Sequence, residues 1–78
     1  MAKRYRRGVL LQRFDNYLNE SVESREECQD IVFEIYYERN DFEIELCLEE
    51  IREDLKRLEL TERYERCQML KDILNRFE

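Results

Sequence analysis

Residues 31–48 read Ile31-Val32-Phe33-Glu34-Ile35-Tyr36-Tyr37-Glu38-Arg39-Asn40-Asp41-Phe42-Glu43-Ile44-Glu45-Leu46-Cys47-Leu48, and their period decides the fold. With a period of two, Ile31, Phe33, Ile35 and Tyr37 share one face, as do Phe42, Ile44, Leu46 and Leu48. A four-residue turn, Glu38 to Asp41, then pairs 37 with 42, 35 with 44, 33 with 46 and 31 with 48 in a β-hairpin. The β-branched and aromatic content suits strands. Against the hairpin, Glu34 would face Glu45, and the turn has no Gly. With a 3–4 spacing, Cys28, Ile31, Val32 and Ile35 line one helix, and Ile44, Leu48, Ile51, Leu55 and Leu58 line the next. An internal similarity at an offset of 22 residues favours helix: Phe42-Glu43 matches Tyr64-Glu65, Leu48 matches Leu70, Glu50 matches Asp72 and Ile51 matches Ile73. The later copy has a helical stripe of Tyr64, Cys67, Leu70, Leu74 and Phe77, widened by Met69 and Ile73. The expected fold is therefore all-α, a small bundle of three to four helices with a C-terminal antiparallel helical hairpin. The alternative is α+β with a β-hairpin at 31–48.

Outward from this stretch, Val9, Leu11, Phe14 and Leu18 predict a first helix that ends near Asn19, Glu20 and Ser21. Ser24 with Glu27 reads as a capping box for the second helix, and Asn40 closes it. Asn40 or Asp41 is the expected cap of the third helix, and Thr61 that of the fourth. Residues 1–8 are expected to form a flexible basic arm that ends at Gly8, the only glycine, and residues 9–78 a single helical domain.

The chain has 78 residues, 42% of them apolar and 44% charged, with no Pro and no His. That length allows one core, near the lower limit of independent stability. Without His the chain lacks the usual triad base and the commonest metal ligand, and one Gly cannot build a phosphate loop. A ferritin-like di-metal site needs Glu-x-x-His pairs. Neither catalysis nor a cofactor nor a metal is expected. The three cysteines, Cys28, Cys47 and Cys67, contain no CxxC pair and read as buried apolar side chains in a reducing cytosol. The sequence offers no signal-peptide core and no apolar run of membrane-spanning length, so a cytoplasmic chain is expected.

The net charge is −6, yet residues 1–13 hold five bases and no acid. The acidic remainder repels phosphate backbones, so nucleic acid is expected at most through the arm residues Lys3, Arg4, Arg6 and Arg7. From Glu34 to Asp54, nine acids face only Arg39 and Arg52.

The stretch Tyr64-Glu65-Arg66-Cys67-Gln68-Met69-Leu70-Lys71-Asp72-Ile73 resembles the UVR motif, the helical hairpin of the UvrB–UvrC contact and of some Clp-protease partners. Tyr64, Glu65, Leu70 and Asp72 fit its pattern, Cys67 stands at the first small position, Lys71 replaces an Arg, and Gln68 departs at the second small position. The resemblance covers residues 48–77. It implies an antiparallel hairpin used for protein–protein contact or self-association, without catalysis.

Phe33, Tyr36 and Tyr37 crowd one segment and make it apolar nearly all round, more girth than so small a chain covers alone. A homodimer, or docking on another protein, is expected through Phe33, Tyr36, Tyr37, Phe42 and the edge near Tyr64. The function read from these residues is that of a small non-enzymatic interaction protein, an adaptor or regulator. The alternative is an acidic inhibitor or nucleic-acid mimic that occupies a basic site on a partner.

Overall fold

The 3–4 spacing prevails over the period of two. The computed structural model describes residues 12–78. The expected basic arm, and Val9 and Leu11 of the first expected helix, lie outside the described residues. Residues 12–15 are helical and lead into a 3-10 turn, Tyr17–Asn19. Three α-helices follow: α1 Val22–Arg39, α2 Ile44–Leu60 and α3 Tyr64–Phe77. No strand occurs among the described residues, so the β-hairpin at 31–48 is replaced by the end of α1, a short loop and the start of α2. The fold is a small all-α bundle.

The helix ends differ from expectation in who caps what. α1 starts before Ser24: the extended backbone of Ser21 lets its Oγ accept from the Ser24 N–H at 3.3 Å, so Ser21 is the cap and the Ser24–Glu27 box is not used. Asn40 closes α1 as expected, but neither it nor Asp41 caps α2, whose N-cap is Glu43 without a side-chain bond. Thr61 closes α2 instead of opening α3, because its Oγ1 donates back to the carbonyls of Arg57 and Leu58, 3.2 Å each.

Both loops are Schellman motifs built without glycine. After α1, the Phe42 N–H reaches the Tyr37 carbonyl at 2.9 Å and the Asp41 N–H reaches Glu38 at 3.2 Å. After α2, the Arg63 N–H reaches Leu58 at 3.1 Å and the Glu62 N–H reaches Glu59 at 3.4 Å. These bonds satisfy carbonyls that the helix ends would leave orphaned. The left-handed position is Asp41 in one loop (φ 54°) and Glu62 in the other (φ 59°), and Phe42 is left-handed too (φ 61°). The apolar contact that accompanies such a motif is Phe42 on Tyr37.

The core gathers Tyr17, Cys28, Val32, Tyr36, Cys47, Ile51, Met69, Leu70 and Ile73. α2 and α3 are the most extensively packed pair, and α1 covers both. On α1 the inward residues are Cys28, Gln29, Val32 and Tyr36, while Ile31 and Ile35 of the expected face are half-buried. On α2, Leu48 and Ile51 point inward as expected, but Ile44 at the head of the stripe is 43% exposed. The repeat at 22 residues survives as burial: Leu48 and Leu70 are both inside, as are Ile51 and Ile73.

Candidate interaction surface

α1 places Phe33 and Tyr37 four residues apart, so their rings lie on one face. Their centroids are 5.8 Å apart and nearly parallel. Phe77, from the end of α3, stacks on Phe33 at 3.9 Å, and Phe42 meets Tyr37 edge-on at 5.4 Å. The result is a row, Phe77–Phe33–Tyr37–Phe42, whose first three members are half-buried. Phe42 ends the row at 63% exposure, and Ile44 and Leu46 follow it at 43% and 47%. A Schellman loop thus holds out an aromatic ring, with two more apolar side chains on the first turn of α2.

Of the sequence-predicted residues, Phe33, Tyr37 and Phe42 come together. Tyr36 does not join them: its ring is in the core and its hydroxyl donates to Asp54 Oδ2 at 2.5 Å, while burial pushes its pKa up. Tyr64 is exposed, next to exposed Leu60, beyond the far end of α2 and so about 25 Å of helix away from Phe42. The arm residues Lys3, Arg4, Arg6 and Arg7 lie outside the described residues.

Charge surrounds the Phe42 end. Of the nine acids between Glu34 and Asp54, two have partners. Glu50 accepts from Arg39 at 2.6 Å and from the Asn40 amide at 2.8 Å, and Asp54 accepts from Tyr36 and pairs with Arg57 at 3.5 Å. The other seven, Glu34, Glu38, Asp41, Glu43, Glu45, Glu49 and Glu53, are exposed and have no ion pair among the described residues. Four of them lie between residues 38 and 45, beside Phe42, Ile44 and Leu46.

A second polar site escaped the sequence reading. Tyr17 is fully buried; its hydroxyl donates to Asp72 Oδ2 at 2.8 Å and accepts from Gln29 Nε2. Arg76 donates to Gln29 Oε1 at 3.1 Å and pairs with Asp30 at 2.9 Å, and Gln68 donates to the other oxygen of Asp72 at 2.9 Å. Burial pushes the Tyr17 phenol up to about 12. A cleft of about 340 Å³ opens beside this cluster, between Arg25, Glu26, Asn75 and Arg76. Arg25 is spent on the carbonyls of Tyr17 and Leu18, and Arg76 on Asp30, Gln29 and the Glu26 carbonyl, so Arg25 ties the segment before α1 to α1 and Arg76 ties α3 to α1.

The three cysteines are free and buried, and burial raises the pKa of each, Cys28 to about 11, which keeps the thiols protonated and unreactive at neutral pH. No group of three or more Cys, Asp or Glu among the described residues is placed to hold a metal ion, and no helix there is long and apolar enough to cross a membrane. Set against known proteins, the chain matches no family model, no curated protein and no solved structure.

Proposed function

We propose that this chain is a small non-enzymatic interaction protein, an adaptor or regulator that works by docking and associates with itself. The observation that supports this most is Phe42: a ring 63% exposed, fixed by a hydrogen-bonded loop and backed by Tyr37, with Ile44 and Leu46 beside it. Exposed aromatics held rigidly cost little entropy on binding and supply much of the energy at interface centres. The half-buried row behind Phe42 lets the surface rest on the core. The rim of carboxylates selects a basic partner.

The test is the mass in solution, by light scattering behind a sizing column over a range of concentrations. The expected result is a dimer that Phe42→Asn converts to monomer with its helical circular dichroism intact, since Asn tolerates a positive φ. A wild-type monomer at every concentration would overturn the self-association.

The seven unpaired carboxylates favour one other reading, an acidic inhibitor that fills a basic groove on a partner. Ionic strength separates the two. Mimicry of nucleic acid weakens steeply with salt, whereas docking centred on Phe42 retains most of its apolar contribution.

A further inference from the structure

The occupant of the Phe42 end must offer positive charge and apolar side chains within a few residues of each other. One segment of this chain does. Residues 1–11 read Met-Ala-Lys-Arg-Tyr-Arg-Arg-Gly-Val-Leu-Leu: Lys3, Arg4, Arg6 and Arg7, then Val9, Leu10 and Leu11. The receiving end offers the complementary chemistry, with Glu38, Asp41, Glu43 and Glu45 beside Phe42, Ile44 and Leu46. We propose that the Phe42 end of one copy receives residues Lys3–Leu11 of a second copy. The exchange is reciprocal and gives a two-fold dimer. This rests on the self-association proposed above and names the segment that produces it.

Chain length argues for a second copy over the segment's own chain. The described residues begin at Gln12, whose carbonyl accepts from the Asn16 N–H at 3.0 Å. The next residue, Tyr17, lies at the start of α1, where Arg25 holds its carbonyl at 3.2 Å. From Arg25 to Asn40 the helix rises about 22 Å at 1.5 Å per residue. Val9, Leu10 and Leu11 are within about 10 Å of chain from Gln12, so they do not span that rise within one molecule. Lys3 and Arg4, eight to nine residues from Gln12, have a reach of about 26–32 Å and meet the acidic end of their own chain only by leaving Val9, Leu10 and Leu11 strung out short of Phe42. A second copy removes the constraint and lets basic and apolar residues dock together.

The experiment uses full-length chains and light scattering at a few concentrations. It compares wild type, a charge-removed variant (Lys3→Ser, Arg4→Ser, Arg6→Ser and Arg7→Ser together), Phe42→Asn, and an equal mixture of the two variants. Circular dichroism first confirms that each is helical. The expected wild-type dimer weakens by no more than about tenfold between roughly 50 and 500 mM salt, because the apolar contact of Phe42, Ile44 and Leu46 is not screened. Each variant alone is monomeric. The mixture associates more tightly than either variant alone, because intact arms on the Phe42→Asn chain meet intact acidic ends on the other. A charge-removed variant that dimerises as tightly as wild type at low salt overturns the arm and leaves self-association standing. A mixture no tighter than its components also overturns it, since the arm then acts elsewhere. A wild-type monomer overturns both proposals.

Discussion

Tyr17 shows how one side chain ties the segment before α1 to the bundle. Its ring is buried, and its hydroxyl sits between the Gln29 amide and the Asp72 carboxylate, 12 and 55 residues away in sequence. Tyr17→Phe removes the hydroxyl and leaves Gln29, 6% exposed, with an unpaired donor. The expected loss is about 1–3 kcal/mol in urea unfolding, a large part of the roughly 4–12 kcal/mol that a chain this size has. Tyr36→Phe should cost less, about 0.5–1.5 kcal/mol, because Asp54 keeps Arg57 and has access to water. The same hydroxyl predicts alkaline sensitivity. An unfolded phenol loses its proton near 10.0, the folded one at about 12, so the folded chain holds more protons in between. That contribution is whole below pH 10 and is lost as pH climbs towards 12. Cys28, raised from 9.0 to about 11, adds the same sign one unit lower. The urea midpoint should fall steadily from pH 9 upwards, and Tyr17→Phe should flatten the upper part of the fall. No spacing rule picks out Tyr17: its partners are polar, distant in sequence and on other elements. It was not legible.

At the scale of elements, helix was legible in α2 and α3 because their apolar residues recur at 3–4 and match each other at 22. α1 was ambiguous for a physical reason. Apolar residues surround it, so periodicity could not say which face turns inward, and a polar residue, Gln29, occupies part of that face. The aromatic row follows from the same ambiguity: Phe33, Tyr36 and Tyr37 form one group in the sequence, but a helix sends Tyr36 inward and the other two along its flank. Ser24, Asn40 and Thr61 are all competent capping residues, and only backbone geometry decides which end each serves: Asn40 closes α1 as expected, whereas Ser24 does not open α1 and Thr61 does not open α3. That choice is testable. Ser21→Ala should cost about 1 kcal/mol, while Ser24→Ala, whose hydroxyl meets only Ser21, should cost no more than a few tenths. Equal losses would mean that α1 starts at Ser24 after all. The Glu62 loop predicts the opposite sign. A non-glycine residue at φ 59° is strained, so Glu62→Gly should stabilise the chain by about 1 kcal/mol in thermal or urea unfolding.

At the scale of the molecule, charge opposes folding. Residues 12–78 hold ten bases and twenty acids within a radius of gyration of 12.0 Å. Most of these charges therefore lie within a few Debye lengths of one another at low salt, about 10 Å each at 0.1 M. Five ion pairs work against the repulsion, but each has at least one partner 40% or more exposed, and such pairs contribute about 0–1 kcal/mol. Against them stand seven exposed carboxylates without an ion pair among the described residues, four of them at the Phe42 end. Raising salt should accordingly stabilise the monomer, by about 5 °C in Tm for each kcal/mol of repulsion screened. The measurement is thermal unfolding followed by circular dichroism, on Phe42→Asn so that association does not contribute. A Tm that falls with salt would mean that Arg39–Glu50, Arg66–Asp15 and their like contribute more than the repulsion takes away. A rise, together with a wild-type dimer that weakens over the same range, would give one molecule two salt dependences of opposite sign. That pairing is the signature expected if the acidic end is a cost to the fold and is kept for the positive charge it receives.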